Sequence, residues 1–233
     1  MALPKIDLPL MEVVVPSTGE KVKFRPFTVK EEKVLLVAQE SEDPAAEILA
    51  MRQIVNNCVV DVNTDEFAIF DLEFLIMNLR AASVDNKIKF SIADPDTDES
   101  VELEFNISEL TINKDNNHSN EIKLNENYTL FLKYPNVETF VKIAEANPED
   151  PLTSYYIMTN CLDKVASEDE IEYFKDYTDK EIETFMDDLP GNVLKKIVQF
   201  FETMPKLRHE VKYTNSEGKE QTFVIEGTRS FFI

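Results

Sequence analysis

Residues 12–24 read EVVVPSTGEKVKF, and this stretch decides how the rest of the chain is interpreted. Polar and apolar residues alternate on both sides of a turn at 17–19, which is the pattern of a β-hairpin. Thr28 and Glu31 follow with the spacing of a capping box, so the pattern predicts a helix that ends near Ser41. The apolar face of this helix begins with Val34, Leu35 and Val37.

Two more helices and a second hairpin complete the first half of the chain. Asp43 and Pro44 are suited to the N-cap and the first position of a second helix, and apolar residues at steps of three and four within 72–79 predict a third. The segments KIKFSI (87–92) and VELEF (101–105) alternate around an acidic turn. The first half is therefore predicted as hairpin, three helices, hairpin.

The same order recurs after the polar stretch NKDNNHSN at 113–120, which holds no apolar residue and is typical of a linker. The motif EDP occurs at 42–44 and again at 149–151, and Asn-Cys occurs at 57–58 and again at 160–161. An ordered series of such repeats predicts an α+β chain of two related lobes that arose by internal duplication.

We place the first lobe at 1–112 and the second at 121–233, with 113–120 as the linker. The second lobe has an inserted helix near 178–189, which carries its own capping box at Thr178 and Glu181. Its next helix matches the third helix of the first lobe at an offset of about 122 residues. The matching positions in the second lobe are Leu194, Ile197, Val198 and Phe201.

Composition excludes several classes of function. The chain has 233 residues, 43% of them apolar, with 24 Lys and Arg against 45 Asp and Glu, for a net charge of −21. Such a surface repels phosphate, so nucleic acid and anionic membrane are not expected as partners. The four glycines are isolated, which excludes dinucleotide-binding and phosphate-loop motifs. We find no signal peptide and no apolar stretch long enough to cross a membrane, and expect a protein that is soluble and intracellular when made.

No catalytic residue, cofactor or small-molecule substrate is predicted. The two cysteines, Cys58 and Cys161, lie on apolar helix faces and are expected in the core, so the chain should fold without metal or disulfide. The acidic turn at 94–99 invites a calcium assignment but lacks the EF-hand pattern, and a solvated hairpin tip is favoured over a cation site. No nucleophile elbow surrounds a serine.

The few basic residues are clustered. Five of them fall within thirteen residues and form a basic stripe, and two interpretations stay open: contact with a partner, or neutralisation of the chain's own carboxylates. The stripe consists of Lys21, Lys23, Arg25, Lys30 and Lys33. The aromatic pair Phe231 and Phe232 near the terminus either covers a lobe's core or inserts into another subunit.

The segments VPSTGEKVKFRPFTVKEEKVLLVAQES (15–41) and FFETMPKLRHEV (200–211) closely resemble baseplate proteins of T-even-like contractile-tailed bacteriophages. The likeness spans essentially the whole chain. It implies a non-enzymatic subunit of the baseplate hub, or a hub assembly factor that acts as a chaperone and is absent from the finished virion. Its partners would be other baseplate or tail hub proteins. Its location would be the host cytoplasm during assembly, and the tail baseplate if it stays in the virion.

The resemblance also bears on metal. Some relatives place C-x-x-C pairs in the hairpins corresponding to 87–105 and 211–225, which suggests zinc-ribbon tips. Those tips hold no cysteine here, so no metal is carried over and cross-strand packing alone is expected to hold the hairpins.

Two functions of other classes stand beside the baseplate hypothesis. One is a small-molecule enzyme with a site in a cleft between the lobes, which the absent motifs disfavour. The other is an acidic decoy that binds a basic host factor. A phosphate mimic needs its carboxylates on one face, whereas these acids are scattered over nearly every segment. The baseplate hypothesis is therefore the one that the sequence favours.

Overall fold

A computed structural model describes residues 6–40, 44–145 and 153–226, which fold into two compact units. The first unit combines the described residues of Met1–Asn113 with those of Lys206–Ile233, and the second consists of those of Lys114–Pro205. Both units contain helices and strands, so the fold class is α+β, as predicted. Within the described residues, no helix is long and apolar enough to span a membrane.

The elements follow in chain order. The strands are β1 Met11–Val14, β2 Lys21–Phe24, β3 Val59–Val60, β4 Lys87–Ala93, β5 Ser100–Asn106, β6 Thr111–Asn113, β7 Glu121–Lys123, β8 Thr129–Leu132, β9 Leu162–Ala166, β10 Ile171–Tyr173, β11 Lys206–Thr214 and β12 Glu220–Glu226. The helices are α1 Val29–Glu40, α2 Pro44–Cys58, α3 Ile69–Ser83, α4 Val137–Glu145, α5 Thr153–Asn160, α6 Asp179–Asp187 and α7 Gly191–Thr203.

The predicted first hairpin and the three helices after it are confirmed. β1 and β2 pair antiparallel, and Gly19 makes the turn between them with a φ of +73°, a conformation that glycine adopts without strain. The short strand β3, which was not predicted, extends this sheet beside β2. α3 supplies the centre of the core, with Leu72, Leu75 and Leu79 fully buried.

The C-terminal hairpin β11–β12 belongs to the first unit, although the predicted second lobe (121–233) included it. Phe223 packs on Phe90 with ring centroids 5.6 Å apart, and His209 packs on Phe105 at 4.9 Å. An isolated two-stranded hairpin is marginally stable in water, so the apolar face of β4–β5 needs a cover. β11 also pairs with β6 and forms a three-stranded sheet.

The predicted linker is partly regular structure. Asn113 ends β6, and His118 is anchored in the second unit. The His118 Nδ1 lies 2.9 Å from the Thr203 hydroxyl, and its Nε2 lies 2.8 Å from the Tyr134 hydroxyl. Its ring packs against those of Tyr134 and Phe200, with centroids 5.6 Å and 5.2 Å away, and these two rings also stack on each other at 5.4 Å. The polar segment is therefore ordered at His118, because this side chain stacks on aromatic rings and makes two hydrogen bonds.

The second unit is built on one antiparallel sheet with the strand order β10-β9-β8-β7. Neither β9 nor β10 was predicted. The helix predicted near 178–189 is present as α6, and Thr178 and Glu181 form the predicted capping box at its start. The core lies between the sheet and α6 and α7, and its buried members are Ile122, Leu130, Leu132, Leu162, Phe174, Met186, Val193, Ile197 and Phe200.

The residue match proposed for α7 needs correction. Ile197 is fully buried, as predicted, but Leu194 is exposed and Val193 lies in the core in its place. The buried face of α7 is therefore made by Val193, Ile197 and Phe200. These residues are spaced by four and then by three, as are the buried residues Leu72, Ile76 and Leu79 of α3. The two helices therefore match at an offset one residue shorter than predicted.

Candidate partner-binding surface

Arg25 and Glu31 fix the start of α1. The backbone N–H of Thr28 donates to Glu31 Oε2 at 2.8 Å, and the Thr28 hydroxyl donates to the same oxygen at 2.6 Å. The guanidinium of Arg25 pairs with Glu31 Oε1 at 3.2 Å and donates to the carbonyl oxygen of Asn57 at 2.9 Å. This buried carboxylate thereby holds the end of β2, the start of α1 and the end of α2 together.

Arg25 is therefore engaged within the fold rather than free on the surface. Burial by itself would raise the pKa of Glu31, but the hydrogen bonds from Thr28 and Arg25 outweigh it and lower the pKa to about 2. The hydrogen bond to Glu31 in turn raises the pKa of Arg25. The pair stays ionised at neutral pH, and of the predicted stripe Arg25 alone has such an internal partner among the described residues.

The other four stripe residues, Lys21, Lys23, Lys30 and Lys33, are exposed. None of them has an ion pair within 4.0 Å to a described residue. Lys23 lies directly opposite Glu12 across the hairpin, so part of its charge is balanced locally.

An exposed apolar patch accompanies Lys30 and Lys33. Val29, Leu36 and Val37 are 65%, 56% and 69% exposed, although Val37 was predicted to face the core. Their spacing of seven and eight residues places them on one side of α1, with Lys33 between them. We call the five residues of this face the α1 surface: Val29, Lys30, Lys33, Leu36 and Val37.

The sequence contained a signal for this surface. Apolar residues occupy four consecutive positions of α1, 34–37, so they cannot all point to one side of a helix. Val34 and Leu35 are half-buried against the unit, and Leu36 and Val37 then face outward. Phe231 and Phe232, the other predicted contact residues, lie outside the described residues, and their role stays a prediction.

The acidic turn at 94–99 is not simply a solvated tip, because Asp94 is buried. Its carboxylate accepts hydrogen bonds from the Tyr213 hydroxyl at 2.7 Å and from the Asn215 amide at 3.4 Å. It also accepts the backbone N–H groups of Asp96 and Thr97, each at 3.0 Å. Hydrogen bonds between the two tips, and not cross-strand packing alone, therefore hold the hairpins β4–β5 and β11–β12 together.

These contacts change the acidity of both partners. Burial would raise the pKa of Asp94, but the hydrogen bonds from Tyr213, Asp96 and Thr97 outweigh it and lower the pKa to about 2. The hydrogen bond to ionised Asp94 raises the pKa of Tyr213 to about 12. Asp96 is engaged as well, since it accepts from Lys219 and from the Gln221 amide. Protein donors thus use carboxylate oxygens that a cation would otherwise need.

The cysteines are core residues, as predicted. Cys58 and Cys161 are free thiols and fully buried. Burial raises the pKa of Cys58 to about 11 and that of Cys161 to about 12, so both are neutral and unreactive at physiological pH. Among the residues that the structure describes, no group of three or more His, Cys, Asp or Glu side chains is arranged to hold a metal ion.

An exposed apolar helix face edged by lysines is typical of a surface that contacts another protein. The chain matches the T4 bacteriophage base plate protein family over residues 8–233 and belongs to that family. It is thus a structural protein of a phage baseplate, a class that is typically non-enzymatic. Comparison with curated proteins gives no match, and neither does comparison with solved structures.

Proposed function

We propose that this chain is a non-enzymatic component or assembly factor of the baseplate hub and that it acts by binding another tail protein through the α1 surface. The observation that carries the proposal is the exposed apolar patch of Val29, Leu36 and Val37. Large apolar side chains grouped on one helix face are typical of a surface that a partner covers.

Charge indicates the chemistry of that partner. Lys30 and Lys33 stand beside the apolar patch in a chain whose net charge is −21. Two lysines that make no ion pair with a described residue, at the edge of an apolar patch, fit a partner segment whose apolar side chains are flanked by carboxylates. Such charges mainly accelerate association and select the partner, while burial of the apolar patch supplies the affinity.

The test separates these two contributions. Leu36→Ser with Val37→Ser removes two of the three apolar residues of the α1 surface, and Lys30→Glu with Lys33→Glu reverses its charge. Each double variant is co-purified with baseplate hub proteins from infected cells at low and at high salt. We expect the apolar variant to co-purify with less partner at both salt concentrations. The charge-reversed variant should lose more of its partner at low salt than at high salt, because charges are least screened at low salt.

The matched control is Lys195→Glu with Lys196→Glu, which reverses two exposed lysines of α7. All four side chains are exposed in the α1 variants, so each variant should melt close to the parent protein. The wider reversal of Lys21, Lys23 and Lys30 tests the rest of the basic stripe in the same assay. Normal co-purification by folded α1 variants would remove this surface from the interface.

A second measurement distinguishes a hub subunit from an assembly chaperone. Mass spectrometry of purified virions is compared with that of infected-cell lysate. A subunit that stays in the baseplate is expected in both samples, at a fixed ratio to other tail proteins in the virion. A chaperone is expected in the lysate alone, because it leaves the particle before assembly is complete.

A further inference from the structure

The second unit contains an apolar pocket that its core does not fill. The pocket has a volume of about 310 Å³ and lies between the strands β9 and β10 and the helix α6. Its apolar walls are formed by Val165, Phe174, Ile182 and Phe185. The ring of Phe185 packs edge-on against Phe174 with centroids 5.1 Å apart, which stabilises the shape of the pocket.

The rim of the pocket is negatively charged. Glu172 and Glu181 are both exposed, and each uses one carboxylate oxygen in a local hydrogen bond. The Tyr177 hydroxyl donates to Glu172 Oε2 at 2.8 Å, and the Thr178 backbone N–H donates to Glu181 Oε2 at 2.8 Å. The Oε1 atom of each glutamate accepts no hydrogen bond from a described residue. No lysine or arginine is among the described residues that line the pocket.

An edge strand runs beside this pocket. β10 is the outermost strand of its sheet, and its three residues, Ile171–Tyr173, are all exposed. Unpaired backbone groups of an edge strand pair readily with an extended peptide, whose alternate side chains then point to the same face. Because Glu172 of β10 lines the pocket, a segment paired with β10 has side chains at the level of the pocket.

We propose that the pocket bounded by β10 and α6 binds an extended segment of another protein that carries an aromatic or long aliphatic side chain next to lysine or arginine. The apolar side chain enters the pocket, and the cation pairs with the free oxygens of Glu172 and Glu181. This proposal is separate from that for the α1 surface, which lies in the other unit. The lysines of the α1 surface attract an acidic partner, whereas the glutamates of the pocket attract a basic one. Either site can fail while the other stands.

The chain holds no tryptophan, so one substitution creates a unique fluorescent reporter. Tyr177→Trp places it at the pocket, where Tyr177 is 42% exposed. Tyr128→Trp is the matched control, because Tyr128 is 40% exposed but does not line the pocket. The probe is a capped hexapeptide with one phenylalanine between two arginines. We expect its addition to shift the emission of the first variant to shorter wavelength with saturation, and to leave the second unchanged.

Two comparisons test the recognition chemistry. Peptides with the phenylalanine replaced by serine, or with both arginines replaced by glutamate, should bind more weakly than the probe. In the Tyr177→Trp background, Glu172→Gln should weaken binding of the probe by about two- to five-fold, the range of an exposed ion pair. Glu170→Gln, an exposed glutamate that does not line the pocket, should leave the affinity unchanged.

Several results would overturn the proposal. One is the absence of a saturable shift in a Tyr177→Trp protein that melts like the parent protein. Equal binding of 2-phenylethylamine and the hexapeptide would make the pocket a small-molecule site. A blue shift that grows with protein concentration in the absence of peptide would show that a second copy of the chain occupies the pocket.

Discussion

Three buried carboxylates connect segments of the first unit through hydrogen bonds and an ion pair. Asp71 accepts the backbone N–H of Ser17 at 2.9 Å and that of Ala68 at 3.1 Å, and so joins the turn of the first hairpin to the start of α3. Glu31 links α1 to α2 through Arg25, which also donates to the carbonyl oxygen of Asn57, and Asp94 joins the two hairpin tips. The burial of each carboxylate is offset by the hydrogen-bond donors that converge on it.

Asp94→Asn should destabilise the first unit at neutral pH and flatten its acid response. The pKa of Asp94 falls from its ordinary 3.8 to about 2 in the folded protein. Ionised Asp94 therefore stabilises the fold above about pH 4, and this contribution is lost as the pH falls toward 2. Thermal melts at pH 7, 4 and 2.5 measure it. The control is Asp98→Asn, at an exposed residue of the same turn.

For this prediction, the difference in melting temperature between the parent protein and Asp94→Asn should shrink as the pH falls. A difference that stays constant from pH 7 to pH 2.5 would show that Asp94 contributes nothing through its charge.

His118→Phe should remove one pH-dependent step from the stability of the second unit. Burial lowers the pKa of His118 below its ordinary 6.5, so the folded unit prefers the neutral ring. The contribution is complete above about pH 6.5 and declines as the pH falls toward the lowered pKa. Phenylalanine keeps the stack but loses the bonds to Thr203 and Tyr134. Urea unfolding between pH 7.5 and 5 measures the loss, and an identical pH dependence in both proteins would contradict it.

At the scale of elements, α6 depends on its N-terminal cap. Thr178→Ala should cost about 1 kcal/mol of unfolding free energy, because the capping box satisfies backbone groups that would otherwise lack a partner. Thr184→Ala in the middle of the same helix is the control, and it should be neutral or slightly stabilising because alanine favours helix. Urea unfolding compares the two variants, and equal costs would show that the cap has no special role.

The internal duplication stays a prediction, and the pairing of strands within each unit supports it. In the first unit, β2 pairs with β3 and Phe24 lies opposite Val59. In the second, β8 pairs with β9 and Leu132 lies opposite Leu162. In both units a hairpin and two helices come before the strand that pairs with the hairpin, which is β3 in the first unit and β9 in the second. Each of these two strands begins at the residue directly after the Asn-Cys repeat.

Amide exchange tests this equivalence. The Arg25 N–H donates to the Cys58 carbonyl oxygen at 2.9 Å, and the Lys133 N–H donates to the Cys161 carbonyl oxygen at 2.8 Å. Both amides should exchange slowly, because each is held in a hydrogen bond at the equivalent position of its unit. Glu126, in the exposed turn between β7 and β8, should exchange fast. Protection of only one of the two amides would argue against related lobes.

At the scale of the whole molecule, the two units differ in how the chain builds them. The second unit is continuous, whereas the first needs segments from both halves of the chain. Residues 114–205 produced alone should therefore melt cooperatively, because they contain the complete core around Ile197. Residues 1–113 alone should aggregate or melt earlier, since Phe90 and Phe105 lose their cover. Calorimetry of both segments tests this prediction. The absence of a cooperative transition for residues 114–205 would contradict it.

The sequence by itself determined the hairpins, most helices, the burial of both cysteines and membership of the baseplate family. The hairpins, the helices and the buried cysteines follow from short-range patterns, since alternation and steps of three or four specify a strand or a helix. The family follows instead from the resemblance of residues 15–41 and 200–211 to baseplate proteins. Only the tertiary structure decided that β11–β12 covers β4–β5, that Asp94 is buried and that Val37 faces outward. Tyr213 meets Asp94 across 119 positions of sequence, and no local pattern records which apolar face covers which. That choice is made by packing between distant segments, because each face is stable only when the other covers it.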